Sequence, residues 1–591
     1  MGRLAHTFVH PAGLGRGDPI SPLLFNAAVD ALAEILDRAR VAGHISGVVG
    51  HLILGGGISH LQYVDDTMIM IQGSDLDIIN LKFLLLCFES LSGLTINFDK
   101  SEVMVLGYPD EERQRIADNL NCTLADFPIT YLGFPIRETR VLIRDLAPLV
   151  SRVRSRAKPW RARLTTKGSK SILINSCLSS LPMYQMGLYL LPEGTHADFA
   201  KELSRFFWAA RDGHQKYHMV KWADVCSPKC LGGLGILDSR RFNVALMLKW
   251  VWRILRDDGG LWLHLIKAKY LRGRPLLACE RREGSQFWRA LQEIKHFIGL
   301  GVSFGVGSGW GVRFWLDPWL LPIPLGVQFP GLFAISSSPA ALVAEVFVEG
   351  RWNILFRRYL VVHEAADLVQ LRDSLPLDLS SSPDSASWRL QPSGEFSVGS
   401  AYRALFQGPE LPWTSPLWKA PLPLSIRIFV WQLLRDRLPS GVEVAKRHGP
   451  GTGFCPLCGT PETCSHIMFS CLAARALWSF VQEALGPAWQ ARELREFLQT
   501  QANRAGGGRR LFWLVFAGIS WTLWNVRNKM VIEKTFPSRV TDPVFSFLGF
   551  LQQWSPLVRQ RDRSSFDDTL RTLRTAALPL SAPAPSTSSV A

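Results

Sequence analysis

The chain has 591 residues, 47% of them hydrophobic and 20% charged, which excludes a disordered protein and leaves room for three to five folded units. Lys and Arg number 66 against 50 Asp and Glu, a net charge of +16 that fits a polyanionic partner. No stretch reaches the length of a membrane span: the longest apolar run, 511 to 524, reads as a buried helix.

The first residues, Met1 to His6, contain no apolar signal run, and His6 stands where a myristoylation signal wants Ser or Thr. Ten cysteines without such a signal read as reduced thiols and candidates for a metal site, so an intracellular setting, the nucleus included, is expected. The charge is uneven. Residues 1–100 hold six Lys or Arg and ten Asp or Glu, so the basic excess lies further along.

In chain order, the spacing of Leu24, Ala27, Ala28, Ala31, Ile35 and Leu36 predicts a helix from Pro22 through Arg40, closed by Gly43 and Gly47. Gly55-Gly56-Gly57 reads as a flexible turn, since a phosphate loop needs a following Lys-Ser/Thr. The stretch Leu61-Gln62-Tyr63-Val64-Asp65-Asp66-Thr67-Met68-Ile69-Met70 predicts two short strands with Asp65 and Asp66 in the turn between them. Two carboxylates that close resist joint ionisation, and a bound cation relieves them; an open tip suits Mg²⁺, which keeps part of its shell for phosphate and water. A second helix is predicted over Leu76 to Leu91, stopped at Gly93, with Cys87 in the core.

Further on, Arg152, Arg154, Arg156, Lys158, Arg161, Arg163, Lys167 and Lys170 follow one another with no acid between Ser151 and Lys170, and Trp160 among them is expected to anchor a core. Such a run is either a solvated face or a grip on a phosphate backbone. Cys226 and Cys230 lack a second ligand pair and read as structural thiols. Cys455-Pro456-Leu457-Cys458 followed by His466 and Cys471 has the spacing of a closed, structural Zn²⁺ site, with Cys464 a spare thiol. Gly506-Gly507-Gly508 reads as a loop, and Pro579 to Ala591, rich in Ser, Pro and Ala, as a disordered tail.

Three stretches in this order, Gly17-Asp18-Pro19-Ile20-Ser21-Pro22, Tyr63-Val64-Asp65-Asp66 and Asn97 to Ser101, resemble the palm of reverse transcriptases from plant non-LTR (LINE-type) retrotransposons. The resemblance continues through Tyr131-Leu132-Gly133-Phe134-Pro135, the Trp-rich boxes at Phe314 to Trp319 and at Trp388 with Gly394 to Val398, the cysteine cluster, and Trp521 to Asn528. It implies an α+β multidomain chain: a truncated palm over 1–105, a basic helical thumb over 106–200, a mixed Trp-rich connecting domain over 201–420, a small zinc-binding module over 421–490, a helical region over 491–575, and the tail over 576–591. The activity implied is RNA-directed DNA synthesis on RNA and DNA with deoxynucleoside triphosphates. Asp65 and Asp66 would be the Mg²⁺ ligands; Arg16, Gly17, Asp18 and Tyr63 would lie at template and nucleotide, and Lys100 near the triphosphate. Arg152 to Arg163 would grip nucleic acid. Arg16 departs from the Gln frequent at its position, and Gly15 from an Arg.

In this family the first catalytic aspartate lies on a strand well before the Gly-Asp-Pro motif, and Met1 lies about a dozen residues before it. The expectation is a polymerase fragment inactive alone, with a bare sheet edge beside the hairpin. The alternative is a non-enzymatic nucleic-acid-binding protein or a retrotransposon relic.

Overall fold

The computed structural model describes residues 2–5, 20–53, 57–161, 166–209, 217–490, 493–494 and 506–581. The protein is mostly helical α+β with small sheets. It forms two compact units, each from two separated stretches: 1–145 with 247–397, and 146–246 with 398–591.

The first unit begins with β1 (Gly2–Ala5), α1 (Ser21–Val41), β2 (His60–Tyr63), β3 (Asp66–Ile69), α2 (Asp75–Ser92) and β4 (Thr95–Ile96). Both predicted helices are present within a residue or two of their expected ends. On α1, Phe25, Val29, Leu32 and Leu36 recur at helical intervals and pack with Leu81 and Phe88 of α2. Arg38 and Arg40 close α1 where the helix dipole favours cations. A capping box opens α2: the Ser74 hydroxyl accepts from the Asp77 N–H at 3.1 Å, and the Asp77 carboxylate accepts from Ser74 N–H at 3.3 Å. Gly93 ends it with φ +69°. Cys87 is half-buried, not core, because the deepest apolar positions of α2 are Ile78, Leu81 and Phe88.

The sheet runs β2-β3-β1-β4, antiparallel throughout. The bare edge expected beside the hairpin is therefore covered. β1 inserts between β3 and β4, with Gly2 opposite Thr67, Arg3 opposite Asp66 and Leu4 opposite Ile96. The covering strand contains no Asp or Glu.

The rest of this unit is organised by aromatic contacts. Trp388 lies on the strand Ser385–Trp388, which pairs with Val302–Gly305, and its ring meets Trp252 at 6.1 Å and Phe396 at 5.0 Å. Phe314 packs edge-on against Trp315, and the Trp319 indole N–H donates to the Phe314 carbonyl at 2.9 Å. These boxes are core, as their composition predicts.

In the second unit, helices at Ala147–Arg161, Glu193–Trp208 and Leu424–Leu434 join the C-terminal helices Gly506–Asn528, Asp542–Trp554 and Gln560–Ala577. The triple glycine opens the helix Gly506–Asn528 instead of forming the expected loop: the apolar residues that follow supply the packing that low glycine propensity withholds. Phe512, Trp513, Leu514, Val515 and Phe516 are buried, as predicted for the run 511–524. Among the described residues no helix is long and apolar enough to cross a membrane. The tail from 582 onward lies outside the described residues.

Gly57, last of the glycines before β2, has φ +88°, and a Cβ on it would lie 2.2 Å from the Val48 carbonyl oxygen. That carbonyl accepts from Ile58 N–H, forming the bridge that leads into β2. Gly57→Ala is expected to destabilise this region by about 2 kcal/mol or more. Hydrogen exchange should speed up at the amides of Val48 and Ile58, while Gly73→Ala, in open space but also at positive φ, should have a smaller effect.

Candidate functional site

The aspartate pair sits on the β2–β3 hairpin. Tyr63 pairs with Asp66, so the turn residues are Val64 and Asp65. This corrects the expected turn by one position: Asp66 opens β3 and is held by the ladder, while Asp65 alone occupies the turn. Val64 takes φ +54°, a conformation that costs a β-branched residue about 1–2 kcal/mol and that tends to collect at functional sites. Both carboxylates are half-exposed, and behind them the Thr67 hydroxyl and the Gln62 amide nitrogen are buried without a hydrogen-bond partner.

The donor set suits one Mg²⁺, held by Asp65 and Asp66 with the remaining positions left to water or phosphate. A pair of ions needs another carboxylate between them. Among the described residues, no third His, Cys, Asp or Glu joins these two at ligand distance. Arg16, Gly17 and Asp18 lie outside the described residues. Tyr63 is exposed. Lys100 is exposed on the short helical turn Phe98–Lys100, where the Asn97 side chain accepts from its N–H at 3.1 Å and the Ser101 hydroxyl donates to the Asn97 carbonyl at 2.8 Å. Since β4 pairs with β1, and β1 with β3, the Lys100 turn and the aspartates are positioned by one sheet.

The basic run divides into two groups. Arg152, Arg154, Arg156 and Lys158 are exposed on the helix Ala147–Arg161. Arg154 is tied to the buried Glu202 at 3.2 Å, a counter-charge supplied from the next long helix and invisible within the run itself. Arg152, Arg156 and Lys158 have no carboxylate partner among the described residues. Lys167 and Lys170 face inward. Lys167 Nζ donates to Gln432 at 2.7 Å, and Lys170, only 3% exposed, donates to the Ala209 carbonyl at 2.7 Å. Trp160 packs on Phe206, the anchoring role its sequence position suggested. The Arg161 side chain and Arg163 lie outside the described residues.

The cysteine cluster is assembled. One ligand atom from each of Cys455, Cys458, His466 and Cys471 lies within 4.8 Å of the others. Cys455 Sγ is 3.9 Å from Cys471 Sγ, close to the edge of about 3.7 Å that tetrahedral thiolates at ~2.3 Å from zinc would give. Cys458 Sγ is 3.2 Å from His466 Nε2. The turn that presents the first two thiols closes with Cys455 N–H donating to Thr460 and Gly459 N–H to Cys455, and Gly459 takes φ +68°. A π-turn over His466–Ser470, closed by Cys471 N–H donating to the His466 carbonyl at 2.9 Å, spans the five positions between the last two ligands. Cys471 then caps the helix Leu472–Leu485.

The surroundings were not legible in the ligand spacing. The Thr460 hydroxyl lies 3.1 Å from His466 Nδ1, which leaves Nε2 for the metal. Glu462, 1% exposed, accepts from Arg527 at 2.6 Å and from Gly441 N–H at 2.7 Å, joining the ligand loop to the helix Gly506–Asn528. The one sequence signal for it is isolation: Glu462 is the only Asp, Glu, Lys or Arg between Arg447 and Arg475. Cys464 is not a ligand. Its thiol, pushed up to about 12 mainly by burial, lies 4.0 Å from the Leu438 carbonyl.

Residues 2–136 match the family model for reverse transcriptase (RNA-dependent DNA polymerase), and residues 396–478 match the model for zinc-binding in reverse transcriptase. One chain thus carries a stretch similar to a reverse transcriptase domain and another similar to the zinc-binding module of such enzymes. The first match ends with the hairpin Ile129–Tyr131/Phe134–Ile136, and the second includes all four cluster ligands. Over 409 residues, 66% of this chain, the sequence is 28% identical to a putative ribonuclease H protein of Arabidopsis thaliana, and the match spans 65% of that relative, a little under two thirds of its length. An uncharacterized mitochondrial protein of the same plant is 27% identical over 150 residues, 24% of this chain and 97% of the relative.

The cysteine-cluster module should carry one zinc per chain. Burial raises the Cys455 thiol and pushes Cys471 up to about 12, and it lowers the His466 imidazole. At Cys458 burial is outweighed by the hydrogen bonds with Thr460 and the neighbouring thiols, which lower the thiol. At least Cys455 and Cys471 therefore hold their protons near neutral pH in the metal-free site. Zinc must displace those protons, so affinity should rise with pH, steeply through pH 6 to 8, in a competition titration with a chelator. Cys458→Ser should lose the metal and Cys464→Ser should keep it. Arg527→Leu leaves Glu462 buried without its partner and should destabilise the second unit by about 3–5 kcal/mol in denaturant unfolding.

Proposed function

We propose that this chain is the palm, thumb, connecting and zinc-bearing part of a LINE-type reverse transcriptase, which binds RNA and DNA but does not polymerise by itself. The observation that carries the reading is the Tyr63–Asp66 hairpin, held in an antiparallel sheet inside the matched reverse transcriptase stretch. Asp65 and Asp66 would hold Mg²⁺, whose chemistry in phosphoryl transfer is to activate the attacking hydroxyl and stabilise the leaving oxygen. The remaining roles belong to side chains. Tyr63, exposed beside the pair, would border the nucleotide; Gly17 and Asp18 would border the template; Lys100 would neutralise the triphosphate. Two adjacent aspartates need a further carboxylate to bridge two ions, and among the described residues no third acid lies at ligand distance from them.

A second, non-enzymatic role in nucleic-acid binding is favoured by Arg152, Arg156 and Lys158, exposed on one helix with no carboxylate partner among the described residues. Any single-stranded affinity they give should be nonspecific and salt-dependent.

With a primed RNA template, deoxynucleoside triphosphates and either Mg²⁺ or Mn²⁺, the 591-residue protein should show no primer extension, and Asp65→Ala should change nothing. Extension by the wild type that Asp65→Ala abolishes would overturn the reading and assign the third ligand to a residue such as Asp18. The combined variant Arg152→Ala, Arg156→Ala, Lys158→Ala should reduce the slope of log affinity against log salt by about 2 on single-stranded RNA, three phosphate contacts at roughly 0.7 each.

A further inference from the structure

A cleft of about 980 Å³ opens in the second unit between the segments 218–224 and 435–447. Among the described residues its walls carry Lys221, Arg435, Arg437, Lys446 and Arg447 against two carboxylates, Asp224 and Glu443. Glu443 takes both Lys446, at 2.9 Å, and Arg447, at 2.7 Å. Asp224 lies 3.7 Å from Arg435, which also donates to the Gly232 carbonyl at 3.0 Å and stacks over Trp431. Lys221 and Arg437 have no carboxylate partner among the described residues. His218, whose pKa burial lowers, adds no charge near pH 7. The cleft is therefore strongly positive and open, with cations on both walls.

Two further features bear on the ligand. Trp222, half-buried and edge-on to Phe207, lies in the lining beside Lys221. One wall is fixed in advance: the helix Gly441–Ala445, which carries Glu443, is pinned where Gly441 N–H and Val442 N–H donate to the side chain and carbonyl of Glu462 in the ligand loop of the zinc module. A preorganised cationic groove with an aromatic side chain suits a flexible polyanion carrying stacking bases better than an isolated anion.

We propose that this cleft binds the phosphodiester backbone of single-stranded nucleic acid, with Lys221, Arg437 and Lys446 meeting phosphates and Trp222 stacking on a base. The site is separate from the helix carrying Arg152, Arg156 and Lys158, and it gives the zinc module a task, which is to hold one wall of the groove. The proposal rests on the nucleic-acid-binding reading above.

The test is fluorescence anisotropy of the zinc-loaded, full-length protein with a labelled single-stranded RNA of mixed sequence over a salt series. The variant Lys221→Gln, Arg437→Gln, Lys446→Gln should bind at least tenfold more weakly than wild type, with the log–log salt slope reduced by about 2. Trp222→Leu should weaken binding several-fold while leaving the slope unchanged. Zinc content and circular dichroism verify that each variant is folded, and a variant failing either check is replaced by its single-site members, which should each lower the slope by about 0.7. If wild type binds RNA and the folded cleft variants bind equally well, the cleft proposal is overturned and the broader reading stands. If wild type binds no RNA, the broader reading fails with it. Binding of poly-glutamate that the variants lose, in the absence of RNA binding, would assign the cleft to an acidic protein instead.

Discussion

One buried carboxylate, Glu462, ties three elements of the second unit together. It lies in the loop between the second and third cysteine-cluster ligands, takes the Arg527 guanidinium, and accepts the N–H of Gly441. A buried ion pair is worth little against an apolar replacement, but removing one member leaves an uncompensated charge that is costly to bury. Here the geometry adds specificity, because the pair fixes the ligand loop against the helix Gly506–Asn528 and against the helix Gly441–Ala445 at once. The four ligands are thus positioned from outside as well as by their own turn and π-turn. With four protein donors closing the shell, no position would remain for substrate, and zinc held here would act on the fold.

The aspartate hairpin is built on the opposite plan. Its register, with Tyr63 against Asp66, places a β-branched residue in a left-handed turn conformation, and two polar atoms behind it are buried without partners. β1 stabilises the hairpin by covering β3, yet it contributes no acid. Among the described residues the hairpin therefore has the support a strand pair needs without a third acid at ligand distance.

Much of this was legible in the sequence. The first two helices follow from apolar spacing and terminating glycines, which are local signals. The cysteine cluster follows from ligand spacing that closes through two short turns. Other features depend on partners distant in sequence. The pairing of β1 with β3 joins residues about sixty positions apart, so the covered edge could not be anticipated from either strand. The inward turn of Lys167 and Lys170 depends on Gln432 and the Ala209 carbonyl, and the partial neutralisation of Arg154 on Glu202. The turn at Val64-Asp65 was misplaced by one residue because Asp-Asp is the better turn dipeptide by propensity, while strand register decided the outcome. The helix beginning at Gly506 shows the same override of a local preference by packing.

The central claim is that Cys455, Cys458, His466 and Cys471 enclose a structural zinc that organises the second unit. X-ray absorption at the zinc edge of the purified, metal-loaded protein tests it most directly. The account predicts three sulfur neighbours at about 2.3 Å and one nitrogen at about 2.0 Å, with no exchangeable water. A shell dominated by oxygen or nitrogen, or one containing a bound water, would contradict it.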